Sequence, residues 1–122
     1  MPRFVILRHE APQSTHFDLM LETEAVLRTW SLPQPPENAT AFECELLADH
    51  RTAYLDYEGV VSGGRGVVSR WDRGVYSVER QDDAEWIVEL SGEKIAGRAV
   101  LLRSAGAANR WLFSFRQAKD GK

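Results

Sequence analysis

The chain has 122 residues and a single cysteine, Cys44, so it cannot form an intrachain disulfide, and a disulfide-built secreted mini-domain is excluded. The chain is 43% hydrophobic and 27% charged, a composition typical of a globular domain. It has no apolar run long enough for a membrane span and no signal-peptide pattern. We therefore expect one cytoplasmic domain over residues 1–122. The net charge of −3 argues against extended coating of a nucleic-acid duplex, which depends on phosphate neutralisation, but leaves recognition of a strand end open.

Short apolar or alternating runs, separated by turn residues every eight to twelve positions, predict many short strands. The predicted strands are residues 3–8, 16–22, 25–32, 41–49, 52–57, 84–90, 94–103 and 110–116, with residues 66–71 and 74–80 forming a hairpin across residues 72–74. The stretch 41–49 also fits a helical turn. Because no helical period is sustained, we expect an all-β fold, a compact antiparallel barrel of about eight strands with at most short helical turns.

The second predicted strand alternates apolar and polar residues, which places His16 and Asp18 on the same face. His9 ends the first strand, and a return of the chain across residues 11–15 would bring it beside that face. Two imidazoles and one carboxylate form a facial site for Zn²⁺, Mn²⁺ or iron, with open positions for a phosphate or a water molecule. The alternative is that these are hydrogen-bonded residues at strand ends.

A second polar pair follows at His50 and Tyr54, four residues apart. A histidine and a tyrosine this close can present an acid and a hydroxyl donor to one ligand. The alternative is a loop histidine beside a packed tyrosine, and the two residues alone leave that choice open.

The string R-H-E-A at residues 8–11, followed by H-F-D-L-M-L-E at residues 16–22, resembles the N-terminal signature of the 3′-phosphoesterase domain of bacterial DNA ligase D. Further strings resemble the same family in the same order: L-R-T-W-S-L-P at 27–33, D-H-R-T-A-Y at 49–54, Y-E-G-V-V at 57–61, W-D-R-G at 71–74, G-E-K-I-A-G at 92–97 and W-L-F at 111–113. The resemblance therefore covers nearly the whole chain.

The resemblance implies a β-barrel enzyme of DNA repair that cleans nucleic-acid 3′ ends. A terminal ribonucleotide is removed in a phosphodiesterase step, and a 3′-phosphate is then removed in a phosphomonoesterase step. Carried over, His9, His16 and Asp18 would hold a divalent metal, Mn²⁺ first, with Zn²⁺ or another transition metal in its place. His50 and Tyr54 would contact the scissile phosphate and, with His9, form the catalytic group. The implied partners are DNA or RNA 3′ ends and a separate ligase or polymerase, with no membrane.

Three apolar residues depart from the family pattern: Met20 stands in place of an arginine, Leu7 in place of a glutamine and Phe42 in place of a basic residue. Arg8, Arg51 and Arg65 are the candidates to bind substrate phosphate instead. The departures also motivate a second hypothesis, a metal-bearing module that binds a strand end or a repair partner without turnover. A third is a small-molecule metal oxygenase, because two histidines and one carboxylate also suit iron.

Overall fold

A computed structural model describes residues 1–118, so the last four residues of the predicted domain, 119–122, lie outside the described part. Within that part the strands are β1 (Arg3–Glu10), β2 (Thr15–Glu22), β3 (Leu27–Leu32), β4 (Thr40–Leu46), β5 (Gly59–Val60), β6 (Val67–Gln81), β7 (Glu85–Gly92), β8 (Ala96–Arg103) and β9 (Arg110–Gln117). One 3₁₀ turn, Thr52–Leu55, replaces the strand predicted at residues 52–57. Residues 1–118 contain no helix that is long and apolar enough to span a membrane.

Eight strands form a closed antiparallel barrel in the order β1-β2-β3-β4-β9-β8-β7-β6, and β6 pairs back onto β1. The two-residue strand β5 pairs with the start of β6 outside this ring. Closure gives every barrel strand a partner on both sides, which satisfies its backbone hydrogen bonds. The predicted all-β class and the barrel of about eight strands are confirmed.

The barrel interior is filled by the apolar side of the alternating strands. At its centre Trp30 packs edge-on against Trp86 and Trp111, with ring centroids 5.4 and 5.5 Å apart. Leu19 and Leu21 join this core, as the alternation of the second strand predicts.

A smaller apolar cluster, called here the outer core, lies on the outside of β1 and β2. It consists of Val5, Leu7, Met20, Leu27, Leu55, Val61 and Val68. Leu55 belongs to the 3₁₀ turn and Val61 follows β5, so the segment between β4 and β6 covers this face of the barrel. Strand β1 is therefore buried on both sides, which accounts for its continuous apolar run.

The predicted hairpin at residues 66–80 is wrong, because β6 is one continuous strand of 15 residues. Its register against β1 slips where Ile6 pairs with Asp72 and Leu7 pairs with Arg70, leaving Trp71 in a bulge. The Asp72 carboxylate accepts backbone N–H groups from residues 93, 94 and 95 at 2.9 Å each. Asp72 thus stabilises the distant turn between β7 and β8 and does not form a turn at its own position in β6.

Candidate metal centre

Strand pairing brings the three predicted ligands together near the turn of the β1–β2 hairpin. His9 lies directly opposite His16, and the ring centroids are 4.6 Å apart. Asp18 follows two positions later on the same face of β2, next to His16. One ligand atom from each of the three residues lies within 4.8 Å of the others. Their role as ligands stays a prediction, but their convergence is a feature of the fold.

The hydrogen bond of His9 determines which of its nitrogens faces the cluster. Nε2 lies 2.7 Å from the Arg65 carbonyl oxygen, which can only accept, so Nε2 donates the proton. In neutral His9 the Nδ1 atom then carries a lone pair, and it lies 3.3 Å from Asp18 Oδ2. Two acceptors at this distance need a cation or a proton between them. A carbonyl that orients the distal nitrogen is also the usual support of a metal-binding histidine.

Asp18 supplies the negative charge of the cluster from a position that is only 3% exposed. Its Oδ1 atom is buried without a hydrogen-bond donor in residues 1–118, and His16 Nε2 lies 3.4 Å from it. Burial raises the pKa of the Asp18 carboxyl, while positive charge on His16, His9 and His50 opposes this shift. A buried carboxylate with an unused oxygen between two imidazoles fits a divalent cation, which would compensate the charge.

His50 and Tyr54 lie on the segment that covers the outer core, and Tyr54 packs against that core. The backbone of His50 exchanges two hydrogen bonds with Leu27, of 2.8 and 2.9 Å, which fixes its position on the barrel. Its Nδ1 donates to the Ala48 carbonyl at 2.9 Å, so Nε2 is the nitrogen left to exchange a proton. The His50 ring packs edge-on against Tyr54, with centroids 5.5 Å apart.

The three candidate arginines occupy different surroundings. Arg65 lies in the loop after β5, where its carbonyl binds His9 and its Nε donates to the Ser62 carbonyl at 2.8 Å. Arg51 is exposed at the start of the 3₁₀ turn, between His50 and Tyr54 in the chain. The side chain of Arg8 lies on the face of β1 opposite to that of His9. Its guanidinium is 3.8 Å from the carboxylate of Glu10. The fold thus brings the backbone of Arg65 to His9 and leaves Arg8 on the other face of β1.

The three departures from the family pattern are packing positions in this fold. Met20 and Leu7 belong to the outer core, with 1% and 0% exposure. Phe42 faces the barrel interior, where its ring centroid lies 5.2 Å from that of Phe113. Leu7 is the cross-strand partner of Asp18, and Met20 follows Asp18 two positions later on the same face of β2. These two residues therefore place apolar surface beside the cluster, where the family pattern has polar groups.

Sequence reasoning did not identify the Arg65 carbonyl as the partner of His9. The available signal was the glycine-rich loop, in which Gly63, Gly64 and Gly66 all have positive φ angles, of 76°, 69° and 100°. Such a loop allows close backbone approach, and a Cβ at Gly66 would lie 2.1 Å from the carbonyl oxygen of Glu10.

Candidate site residues line two depressions of the described chain. The larger, about 720 Å³, runs from His16 past Ser31 to Glu43, Glu45 and Arg110. The smaller, about 220 Å³ and called here the tyrosine cleft, is lined by Arg51, Ala53, Tyr54, Tyr57, Val60 and Ser62.

A family model described as the DNA ligase D 3′-phosphoesterase domain matches residues 7–103 of this chain. The chain is 36% identical over 129 residues to the multifunctional non-homologous end joining DNA repair protein LigD of Mycobacterium tuberculosis, covering 98% of the chain and 17% of the relative. It is 30% identical over 132 residues to the multifunctional non-homologous end joining protein LigD of Pseudomonas aeruginosa, covering 98% of the chain and 15% of the relative. The chain thus spans about a sixth of the length of these curated relatives.

Proposed function

The chain belongs to the DNA ligase D 3′-phosphoesterase family, and on that premise we propose that it is a metal-dependent phosphoesterase that cleans nucleic-acid 3′ ends in DNA repair. The observation that carries this proposal is the convergence of His9, His16 and Asp18 within 4.8 Å, with Asp18 buried. The names of the relatives, which refer to end joining, support the repair context.

In this proposal His9, His16 and Asp18 hold a divalent cation, with Mn²⁺ as the first choice. The bound ion supplies Lewis-acid polarisation of a phosphate oxygen. The facial arrangement of the three side chains leaves one side of the cluster open to the substrate phosphate. Phosphoryl transfer depends mainly on positioning and charge stabilisation, which is what these residues offer.

The second pair supplies the proton chemistry. With Nδ1 held by the Ala48 carbonyl, His50 would give a proton from Nε2 to the leaving oxygen. Tyr54, packed against His50, would donate a hydrogen bond to the scissile phosphate. Arg51 and Arg65, on the two segments beside the cluster, would bind the remaining phosphate oxygens.

The activity can be tested on primer-templates that end in a 3′-terminal ribonucleotide or a 3′-phosphate, with Mn²⁺, with Zn²⁺ and with a chelator. We expect Mn²⁺-dependent release of both groups, and a loss of at least about a hundredfold in Asp18→Asn, which keeps the shape but removes the charge of a proposed ligand. Asp83→Asn, at an exposed aspartate in the β6–β7 turn, is the matched control and should equal wild type. Elemental analysis of the same preparations should find bound metal in wild type and in Asp83→Asn only.

Absence of release from both substrates, or full activity in Asp18→Asn, would reject the enzymatic proposal. The burial of Met20 favours a second candidate, a module that binds metal and strand ends without turnover, because an apolar contact occupies the position where the family has an arginine. Bound metal and bound 3′ ends with no hydrolysis would identify that candidate. In either case we propose that a separate ligase or polymerase acts on the same strand end.

A further inference from the structure

We infer that the tyrosine cleft binds the nucleoside that carries the 3′-phosphate, and that the ring of Tyr57 is the surface on which its base stacks. This inference rests on the proposed function and names a substrate contact that the metal centre does not provide. It assigns recognition of the nucleoside to the segment between β4 and β6, separate from the phosphate contacts.

A series of aromatic rings runs from His50 into the cleft. The ring of His50 packs edge-on against Tyr54 at 5.5 Å, and Tyr54 packs edge-on against Tyr57 at 5.6 Å. The loop that contributes Ser62 to the cleft also carries the Arg65 carbonyl, which binds His9 at 2.7 Å. A nucleotide whose phosphate lies at the cluster would therefore have its nucleoside directed along this series.

Tyr57 combines exposure with a fixed position, as a stacking surface requires. It is 38% exposed, and its hydroxyl donates a hydrogen bond to the Val60 carbonyl. The backbone returns beneath the ring through Gly59, where φ is +135° and a Cβ would lie 3.3 Å from the Tyr57 hydroxyl oxygen. A ring that is already ordered loses little entropy when a base stacks on it.

The opposite wall of the cleft is tied to the metal centre through the glycine-rich loop. Ser62 lines the cleft and accepts hydrogen bonds from the Arg65 guanidinium at its carbonyl, 2.8 Å away, and at its hydroxyl, 3.3 Å away. The Arg65 carbonyl in turn binds His9 at 2.7 Å. Arg51 contributes a positive charge to the lining itself, and Arg65 lies behind Ser62. Positive charge at both walls suits a phosphorylated end.

The larger depression beside His16 is less suited to this ligand. Its lining includes the carboxylates of Glu43 and Glu45, which repel a nucleic-acid backbone. Apart from the imidazole of His16, the described residues that line it offer no aromatic ring. The smaller cleft is the one that combines aromatic rings with positive charge.

The test compares two labelled oligonucleotides that end in a 3′-phosphate, one on a normal nucleoside and one on an abasic tetrahydrofuran residue. Binding is measured by fluorescence anisotropy with Ca²⁺, and KM and kcat are measured with Mn²⁺. We expect wild type to bind the normal end about tenfold more tightly, a difference typical of one stacked base. Tyr57→Ala should lose this preference and raise KM with kcat unchanged, because stacking contributes equally before and during the reaction.

Two further variants separate stacking from folding. Tyr57→Phe keeps the ring and loses the hydroxyl, so it should keep the preference for the normal end. Leu102→Ala, at a residue of β8 that is also 38% exposed, should equal wild type. Equal binding of the two ends by wild type, or an unchanged preference in Tyr57→Ala, would overturn the inference. The binding measurement needs no turnover, so failure of the proposed activity would appear separately, as missing hydrolysis.

Discussion

At the scale of single residues, one hydrogen bond gives His9 the orientation that a metal ligand needs. Its Nε2 donates to the Arg65 carbonyl at 2.7 Å, and the other nitrogen is thereby turned toward Asp18. Asp18 is buried with an oxygen that has no donor in the described chain, an arrangement that is costly without a cation. The same environment that makes the cluster suitable for metal therefore makes it unfavourable when empty.

Cys44 offers a residue-scale prediction about pH. Burial in the barrel raises the pKa of its thiol from 9.0 to about 12. Above pH 9 the unfolded chain releases the thiol proton while the folded chain keeps it, so stability should fall as pH rises from 9 toward 12. The slope from this group is at most about 1.4 kcal/mol per pH unit.

Urea unfolding at pH 8, 9 and 10 measures this effect. The Cys44→Ala variant should lose less stability than wild type over that range, whatever its stability at pH 8. Restricting the range to pH 10 limits the contribution of Tyr76, whose pKa burial also raises to about 12. Equal pH slopes for the two proteins would contradict the prediction.

At the scale of elements, the loop 61–66 between β5 and β6 orients a residue that belongs to another strand. Its last glycine packs against the end of β1, and Arg65 then reaches His9 with its carbonyl. The loop is closed by a hydrogen bond of 2.8 Å from the Val61 N–H to the Gly66 carbonyl. We expect metal affinity to depend on this loop although it contributes no ligand atom.

The substitution Gly66→Ala tests that expectation. Its Cβ would lie 2.1 Å from the Glu10 carbonyl oxygen, so the loop must shift and the hydrogen bond to His9 should be lost. We expect a tenfold to hundredfold weaker affinity for Mn²⁺ or Zn²⁺ in isothermal titration calorimetry, roughly the effect of removing such a supporting contact. The barrel should remain folded.

The matched control is Gly64→Ala in the same loop. Gly64 also has a positive φ, of +69°, but a Cβ there meets nothing within 4 Å. Both variants carry the strain of a left-handed alanine, and only one of them has the steric conflict with β1. Equal metal affinity in the two variants would show that the loop does not orient His9.

At the scale of the whole molecule, the site is divided between the closed barrel and the segment that the outer core attaches to it. The proposed metal ligands lie on β1 and β2, which belong to the closed barrel. His50, Tyr54 and Tyr57 lie on the covering segment, which the outer core attaches to the barrel from outside. Metal binding and substrate binding should therefore respond differently to loss of packing.

Two leucine substitutions separate the two cores. Leu101→Ala, at a fully buried residue of β8, should lower the free energy of unfolding by about 2–5 kcal/mol. Leu55→Ala, in the 3₁₀ turn, should instead increase hydrogen exchange over residues 47–61 and weaken binding of 3′-phosphorylated ends. Because the ligands are on the barrel, Leu55→Ala should keep the metal affinity of wild type. Loss of metal binding in Leu55→Ala would contradict this division.

The sequence by itself determined most of the strands, the all-β class and the shared face of His16 and Asp18. These follow from a period of two residues along an extended chain, which is a local property. His9 could also be placed, because the short chain between β1 and β2 can only return antiparallel. Recognition of the family depended on motifs that span most of the chain in order, and residues 7–103 match that family.

Only the tertiary structure decided how distant segments meet. Asp72 reads locally as a turn residue, yet its carboxylate binds backbone groups 21 to 23 positions away, so β6 continues where a hairpin was predicted. The carbonyl of Arg65 meets His9 across 56 positions, and the backbone of His50 pairs with that of Leu27. Such contacts depend on barrel closure and strand register. Both are set by many small interaction energies spread over the whole molecule, and these interactions leave no periodic pattern in the sequence.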